Sequence, residues 1–202
     1  GLSQSLHDAG FEMGRLQTNT PPRIDARTID YRETIHQYGS EEPLHFSFEG
    51  LPEHPLILPA NPIYPIDRQP DWRPQIPCYL VHTNLETHRV IRENLHRSPI
   101  APGKIDATGP RYCPSIEEKI VRFAEKPSHQ FFLEPEGWAT GEVYVQGCFT
   151  GLPFDVQLAL LRTIPALSGA RIMRPGYAIE YDFVLPYQLK PSLETRRVHG
   201  LF

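Results

Sequence analysis

Apolar and polar positions alternate most cleanly near the end of the chain. In YAIEYDFV, residues 177–184, Tyr177, Ile179, Tyr181 and Phe183 fall on one side, and Glu180 and Asp182 on the other. That period of two predicts a strand. PCYLVHT at 77–83, HQFFLEP at 129–135 and EVYVQ at 142–146 predict three more. After Asn84 the period lengthens: Thr87, Ile91 and Leu95 share a helical face, Asn84 is a good N-cap, and Glu86 suits the positive end of the helix dipole. A helix is therefore predicted over residues 85–95. LPFDVQLALLRTI, residues 152–164, predicts a buried helix with Pro153 near its first turn and Pro165 ending it. Residues 1–10 read as the end of a helix that stops at Gly10. In residues 14–31 the pair Pro21 and Pro22 forbids a helix, so a strand runs into a rigid loop. Residues 50–77 hold eight prolines and predict an extended surface excursion or a loop insertion. Strands and helices do not alternate as βαβ units, so the predicted fold is α+β with a mixed or antiparallel sheet.

Composition narrows this picture. The chain has 202 residues, 40% apolar and 10% aromatic, enough to bury a core. Its 22 prolines are about twice the usual share and favour short elements joined by loops. The net charge of −4 does not suggest a nucleic-acid binder, but the charge is uneven. Residues 1–76 hold 6 Lys/Arg against 11 Asp/Glu, whereas residues 89–126 hold 8 Lys/Arg against 5 acids. The second stretch is either a local face for phosphate or a mixed, solvated surface. Cys78, Cys113 and Cys148 are an odd number without a disulfide framework, and no apolar run approaches the ~20 residues of a membrane helix. A reducing, cytoplasmic compartment is expected.

Candidate chemistry centres on Cys113. Ser115 and Glu118 have the spacing of a capping box, so a helix is predicted to start just after the cysteine. A thiol beside a helix N-terminus, with Arg111 and Lys119 near it, has a lowered pKa; the alternative is a small buried cysteine. Free N–H groups at the same turn, with those two cations, suit a phosphate of a nucleotide or of RNA. Cys78, His82 and His88 do not converge as metal ligands on a strand leading into a helix, and no metal site is expected. Glu180 and Asp182 are either an acid–base pair or partners of nearby arginines such as Arg171 or Arg174. No GxGxxG, GxxxxGK[ST], HExxH or GxSxG motif is present.

Five long motifs go further. GRLQTNTPPRIDARTIDY, VHTNLETHRVIRENLHRSP, GPRYCPSIEEKIVRFAEKPSHQFFLEPEG, LPFDVQLALLRTIP and RPGYAIEYDF resemble, in sequence and in order, the MnmG (GidA) family of FAD-dependent tRNA uridine 5-carboxymethylaminomethyl modification enzymes. The resemblance covers nearly all of the chain except residues 51–76. Members of that family are much longer. They begin with a Rossmann-type FAD fingerprint and end in a second FAD-binding loop and a helical region. The resemblance therefore implies an excised middle: residues 1–25 a flank of a split Rossmann-type FAD domain, residues 26–149 an inserted domain that contacts NAD and tRNA, and residues 150–202 the return into the FAD domain.

It also implies an activity. With the GTPase MnmE, such an enzyme adds a carboxymethylaminomethyl or aminomethyl group to the wobble uridine of tRNA, using FAD, NADH and methylene-tetrahydrofolate as one-carbon donor. The full-length enzyme is expected to be a homodimer, free of the membrane, and the fragment alone to be inactive. By the same resemblance Gly109, Pro110, Arg111, Tyr112, Cys113, Pro114, Ser115, Ile116, Glu117, Glu118, Lys119, Ile120, Val121, Arg122 and Phe123 form the NAD-binding segment. Cys113 is catalytic in that scheme, and Arg111 and Lys119 bind tRNA. Two departures stand out. The usual TGTPPR reads TNTPPR, with Asn19 as a tolerable residue if a positive φ is needed. GxST reads GCFT at 147–150, which removes a serine. Two other classes stay open: a non-catalytic RNA- or nucleotide-binding module, and a folate- and flavin-dependent tRNA uracil methyltransferase, whose family lacks the RPGYAIEYD and GPRYCPS sequences.

Overall fold

The computed structural model describes residues 1–46, 48–49, 57–99 and 114–202, and every count of elements refers to these. Helix α1 (Leu2–Asp8) buries none of its residues and ends before Gly10, whose φ of +84° only glycine adopts without strain. Strand β1 (Met13–Asn19) pairs antiparallel with β8 (Ala178–Val184), Met13 opposite Val184 and Asn19 opposite Ala178. This two-stranded ribbon brings the beginning and the end of the chain together.

Between them lies a six-stranded antiparallel sheet of β2 (Arg23–Asp25), β3 (Ile35–Gln37), β4 (Cys78–His82), β5 (Gln130–Pro135), β6 (Glu142–Gln146) and β7 (Ile172–Arg174), in the order β3-β4-β5-β6-β2-β7. Alternate residues Ile24, Tyr79, Val81, Phe131, Leu133, Val143 and Val145 are buried, as the period of two requires. They share one core with Ile91 of helix α2 (Leu85–Asn94), Ile116 and Ile120 of α3 (Ile116–Arg122), and Val156, Leu160 and Leu161 of α4 (Phe154–Arg162). The fold is α+β.

Local chemistry explains the helix starts. Asn84 caps α2 with a complete box: its side chain accepts from the Thr87 N–H, and Thr87 Oγ1 accepts from the Asn84 N–H. Asn84 Nδ2 also donates to the Thr163 carbonyl at 2.7 Å, so the same cap ties α2 to the end of α4. Pro153 is the N-cap of α4 and the chain turns into a 3-10 segment at Pro165–Leu167.

The core runs through the boundary drawn at residues 149 and 150. Leu152, Ile164, Leu167 and Ala170 belong to the same buried cluster as Phe131 and Val143. The proline-rich segment lies partly outside the described residues, and its described part, 57–77, is tied to the core. Residues 57–77 form no helix or strand, yet Tyr64 is buried and its hydroxyl donates to the Thr140 carbonyl. Trp138 Nε1 donates to the Pro59 carbonyl, and the Tyr79 hydroxyl to that of Pro65.

Candidate functional site

The candidate segment divides in two. Gly109, Pro110, Arg111, Tyr112 and Cys113 lie outside the described residues, so the thiol and one of the two cations have no described geometry. From Pro114 onward the chain is described, and it starts α3 as the capping spacing predicts. Ser115 Oγ accepts from the Glu118 N–H at 3.1 Å. Glu118 does not close the box; its carboxylate pairs with Arg122 at 3.1 Å. The N–H of Ile116 donates to the Phe149 carbonyl at 2.7 Å. Two donors of the helix start are therefore committed within the protein rather than offered to an anion.

Sequence reasoning counts Glu117 in the NAD-binding segment but does not foresee its burial. It is fully buried between Ile116 and the loop 147–151. Its Oε1 accepts from Ser98 Oγ at 2.9 Å and from the Gly151 N–H at 3.1 Å, while Oε2 has no partner among the described residues. Burial pushes its pKa up, against the pull of those hydrogen bonds. Ser98 and Glu117 stand on either side of residues 100–113. Their hydrogen bond joins Ser98 to α3, and the Gly151 N–H shares the same carboxylate oxygen.

Lys119 lies two residues beyond Glu117 on α3 and donates to the Gly147 carbonyl at 3.2 Å. Gly147 has φ +100°, and a Cβ there would come within 2.8 Å of the Gln130 carbonyl, so the loop that receives Lys119 needs a glycine. Cys148 beside it is wholly buried, and burial pushes its thiol far up. Cys78 is half-buried and shifted upward for the same reason. Neither is a thiolate at neutral pH. At the departure 147–150, Thr150 Oγ1 accepts from the Leu152 N–H at 3.0 Å and Phe149 contributes its carbonyl to α3.

Other candidates separate. His82 is exposed, whereas His88 is buried and bonded through Nε2 to Thr83 Oγ1 at 2.8 Å. Thr83 Oγ1 also accepts from the His129 N–H, and the His88 and His129 rings lie 5.5 Å apart. Burial pushes both imidazoles down, toward the neutral form. Among the described residues no three His, Cys, Asp or Glu are grouped to hold a metal ion. Glu180 and Asp182 do bind an arginine, but it is Arg15 on the paired strand, at 3.0 Å from Asp182, and not Arg171 or Arg174. Arg174 is bound instead to Glu142 at 2.8 Å. The cross-strand register of the ribbon, Arg15 opposite Asp182, decides the pairing. Asn19, placed where a positive φ was entertained, is an ordinary strand residue; among the described residues the sole non-glycine with positive φ is Leu193.

Comparison with known proteins places this geometry. The family model described as "Glucose inhibited division protein A" matches residues 1–202. The tRNA uridine 5-carboxymethylaminomethyl modification enzyme MnmG of Chloroflexus aurantiacus is 54% identical over 207 residues, covering 100% of this chain and 32% of that protein. The enzyme of the same name from Lactococcus lactis subsp. cremoris SK11 is 51% identical over 202 residues, covering 100% of this chain and 30% of that protein. The crystal structure of Aquifex aeolicus GidA in form I superposes with a TM-score of 0.82 at 43% identity, covering 100% of this chain and 32% of the other. The chain thus spans about a third of the length of the curated relatives it matches.

Proposed function

The chain belongs to the glucose inhibited division protein A family, and from that premise we propose that it is the middle section of a flavin enzyme that modifies the wobble uridine of tRNA. The observation that carries this reading is the 54% identity, along the whole chain, to a protein named for that modification. In the full-length protein FAD, reduced by NADH, supplies the redox chemistry, and methylene-tetrahydrofolate supplies the one-carbon unit. The group added is carboxymethylaminomethyl or aminomethyl, and the GTPase MnmE is the partner. The protein works as a cytoplasmic homodimer.

Within this section the residues have separate tasks. Cys113 is the catalytic group, acting on the uracil as acid/base or as a transient covalent partner. Arg111 and Lys119 hold tRNA phosphate. The segment 109–123 receives NADH; the N–H groups of Ile116 and Glu118 are bonded within the protein and Lys119 donates to the Gly147 carbonyl, so a phosphate that reaches Lys119 competes with that carbonyl. Glu117 ties Ser98 and Gly151 to the first turn of α3. The sequence contains no glycine-rich dinucleotide fingerprint, so the flavin is held mostly by other parts of the full-length protein. The shared core supports drawing the inserted unit wider than residues 26–149, from β2 to β7, with β1 and β8 as its stem on the flavin domain.

Visible absorption spectra test this reading. The product of the intact reading frame is expected to be yellow, with a bound-flavin spectrum, and the 202-residue chain colourless. Cys113→Ser in the long form is expected to abolish modification of tRNA while keeping the flavin. A 202-residue chain that retains flavin by itself overturns the division of labour proposed here.

A further inference from the structure

A second, chemically distinct place is built on the turns after β2. The sequence repeats Asp-x-Arg there, as Asp25-Ala26-Arg27 and Asp30-Tyr31-Arg32, and each copy folds alike. The aspartate caps a 3-10 turn by accepting the arginine N–H, and the arginine side chain returns to the same carboxylate. In the first copy Nε and Nη2 lie 2.9 and 2.7 Å from the carboxylate oxygens, and in the second the distances are again 2.9 and 2.7 Å. A guanidinium has five N–H donors, and this fork uses two of them. The rest of each group faces solvent: the side chains of Arg27 and Arg32 are 78% and 88% exposed.

Both arginines line one open cleft of about 710 Å³, together with Arg171, Thr28 and Ser168. Arg171 is exposed and has no ion pair among the described residues, although its charge helps to lower the pKa of Asp25. Three cations, Arg27, Arg32 and Arg171, face two aspartates, Asp25 and Asp30, in this cleft. The aspartates do not cancel the site; they hold two planar donor forks in fixed orientations, which suits oxygens of a phosphate better than a mobile lysine would.

We propose that this cleft takes backbone phosphates of the tRNA, an inference that rests on the tRNA reading proposed above. The cleft is wide and open, and its cations sit on separate turns, as contacts to successive phosphates of a strand require. It shares no residue with the segment 109–123.

The test uses the full-length protein and its tRNA substrate, with the dissociation constant measured over roughly 50–200 mM salt. Arg171→Gln leaves both aspartate–arginine forks intact, and Arg32→Gln leaves behind only the partly exposed Asp30. Each is expected to make the slope of log K against log salt shallower by about 1, and the double variant by about 2. The double variant is expected to bind roughly tenfold more weakly at low salt, with an unchanged thermal midpoint. Arg68→Gln, on another surface, is expected to bind as the wild type does. Wild-type protein that binds while both cleft variants match it in affinity and salt slope overturns the proposal, even if their NADH binding falls. Wild-type protein that binds no tRNA at any salt sinks the proposed function first, and the cleft with it.

Discussion

At Glu117 a carboxyl replaces what the helical pattern around it leads one to expect. Ile116 and Ile120 are apolar and buried, and a glutamate in the first turn reads as a favourable, solvated charge beside the helix dipole. The structure instead buries it, with one oxygen bonded to Ser98 and Gly151 and the other without a partner among the described residues. Its pKa is raised in the folded protein, so folding favours the protonated form. The stability this contributes is complete below the ordinary 4.5 and is lost as pH rises through the shifted value. Urea unfolding at several pH values should show wild-type stability declining above pH 4.5 and the Glu117→Gln variant declining less. Equal slopes would mean an ionised, unshifted Glu117. Glu117→Ala, which strands Ser98 and Gly151 without an acceptor, is expected to cost roughly 2–4 kcal/mol.

Among the elements, α2 does more than its amphipathic stripe announces. Its cap residue Asn84 spends one side-chain atom on the Thr87 N–H and the other on the Thr163 carbonyl of the α4 terminus. The cap is legible in the sequence because the side chain and its N–H target are three residues apart. The bond to residue 163 is not, because nothing local links residues 84 and 163. Asn84→Ala is expected to lower stability by about 1–2 kcal/mol, whereas Asn84→Ser, which restores the cap but cannot reach Thr163, should recover only part. Full recovery in a thermal melt would show that the tie to α4 contributes nothing. The ribbon teaches the same lesson. The alternation at 177–184 predicts the strand, but only the register with β1 assigns Arg15 to Glu180 and Asp182.

On the scale of the whole molecule, a single core joins Ile24 of β2 to Ala170 before β7. The described elements from β2 to β7 should therefore unfold together. Phe131→Ala and Leu160→Ala, on either side of residue 150, are each expected to cost roughly 3–5 kcal/mol and to shift the same single transition in circular dichroism and tryptophan fluorescence. Two separate transitions, one moved by each variant, would divide the unit near residue 150 after all.

The sequence by itself determined the longer helices and strands, the α+β class, the caps at Asn84 and Ser115, and the family, because these depend on spacing within a few residues or on long ordered motifs; the three-residue strands β2, β3 and β7 exist only through their pairing partners. Tertiary structure alone decided which arginine meets Glu180, that Glu117 is buried, that the proline-rich segment is pinned by Tyr64 and Trp138, and that Arg171 joins Arg27 and Arg32 at one cleft. Each of those facts depends on chain segments dozens of residues apart meeting in space. Burial and charge pairing are properties of that meeting, and no local pattern encodes them.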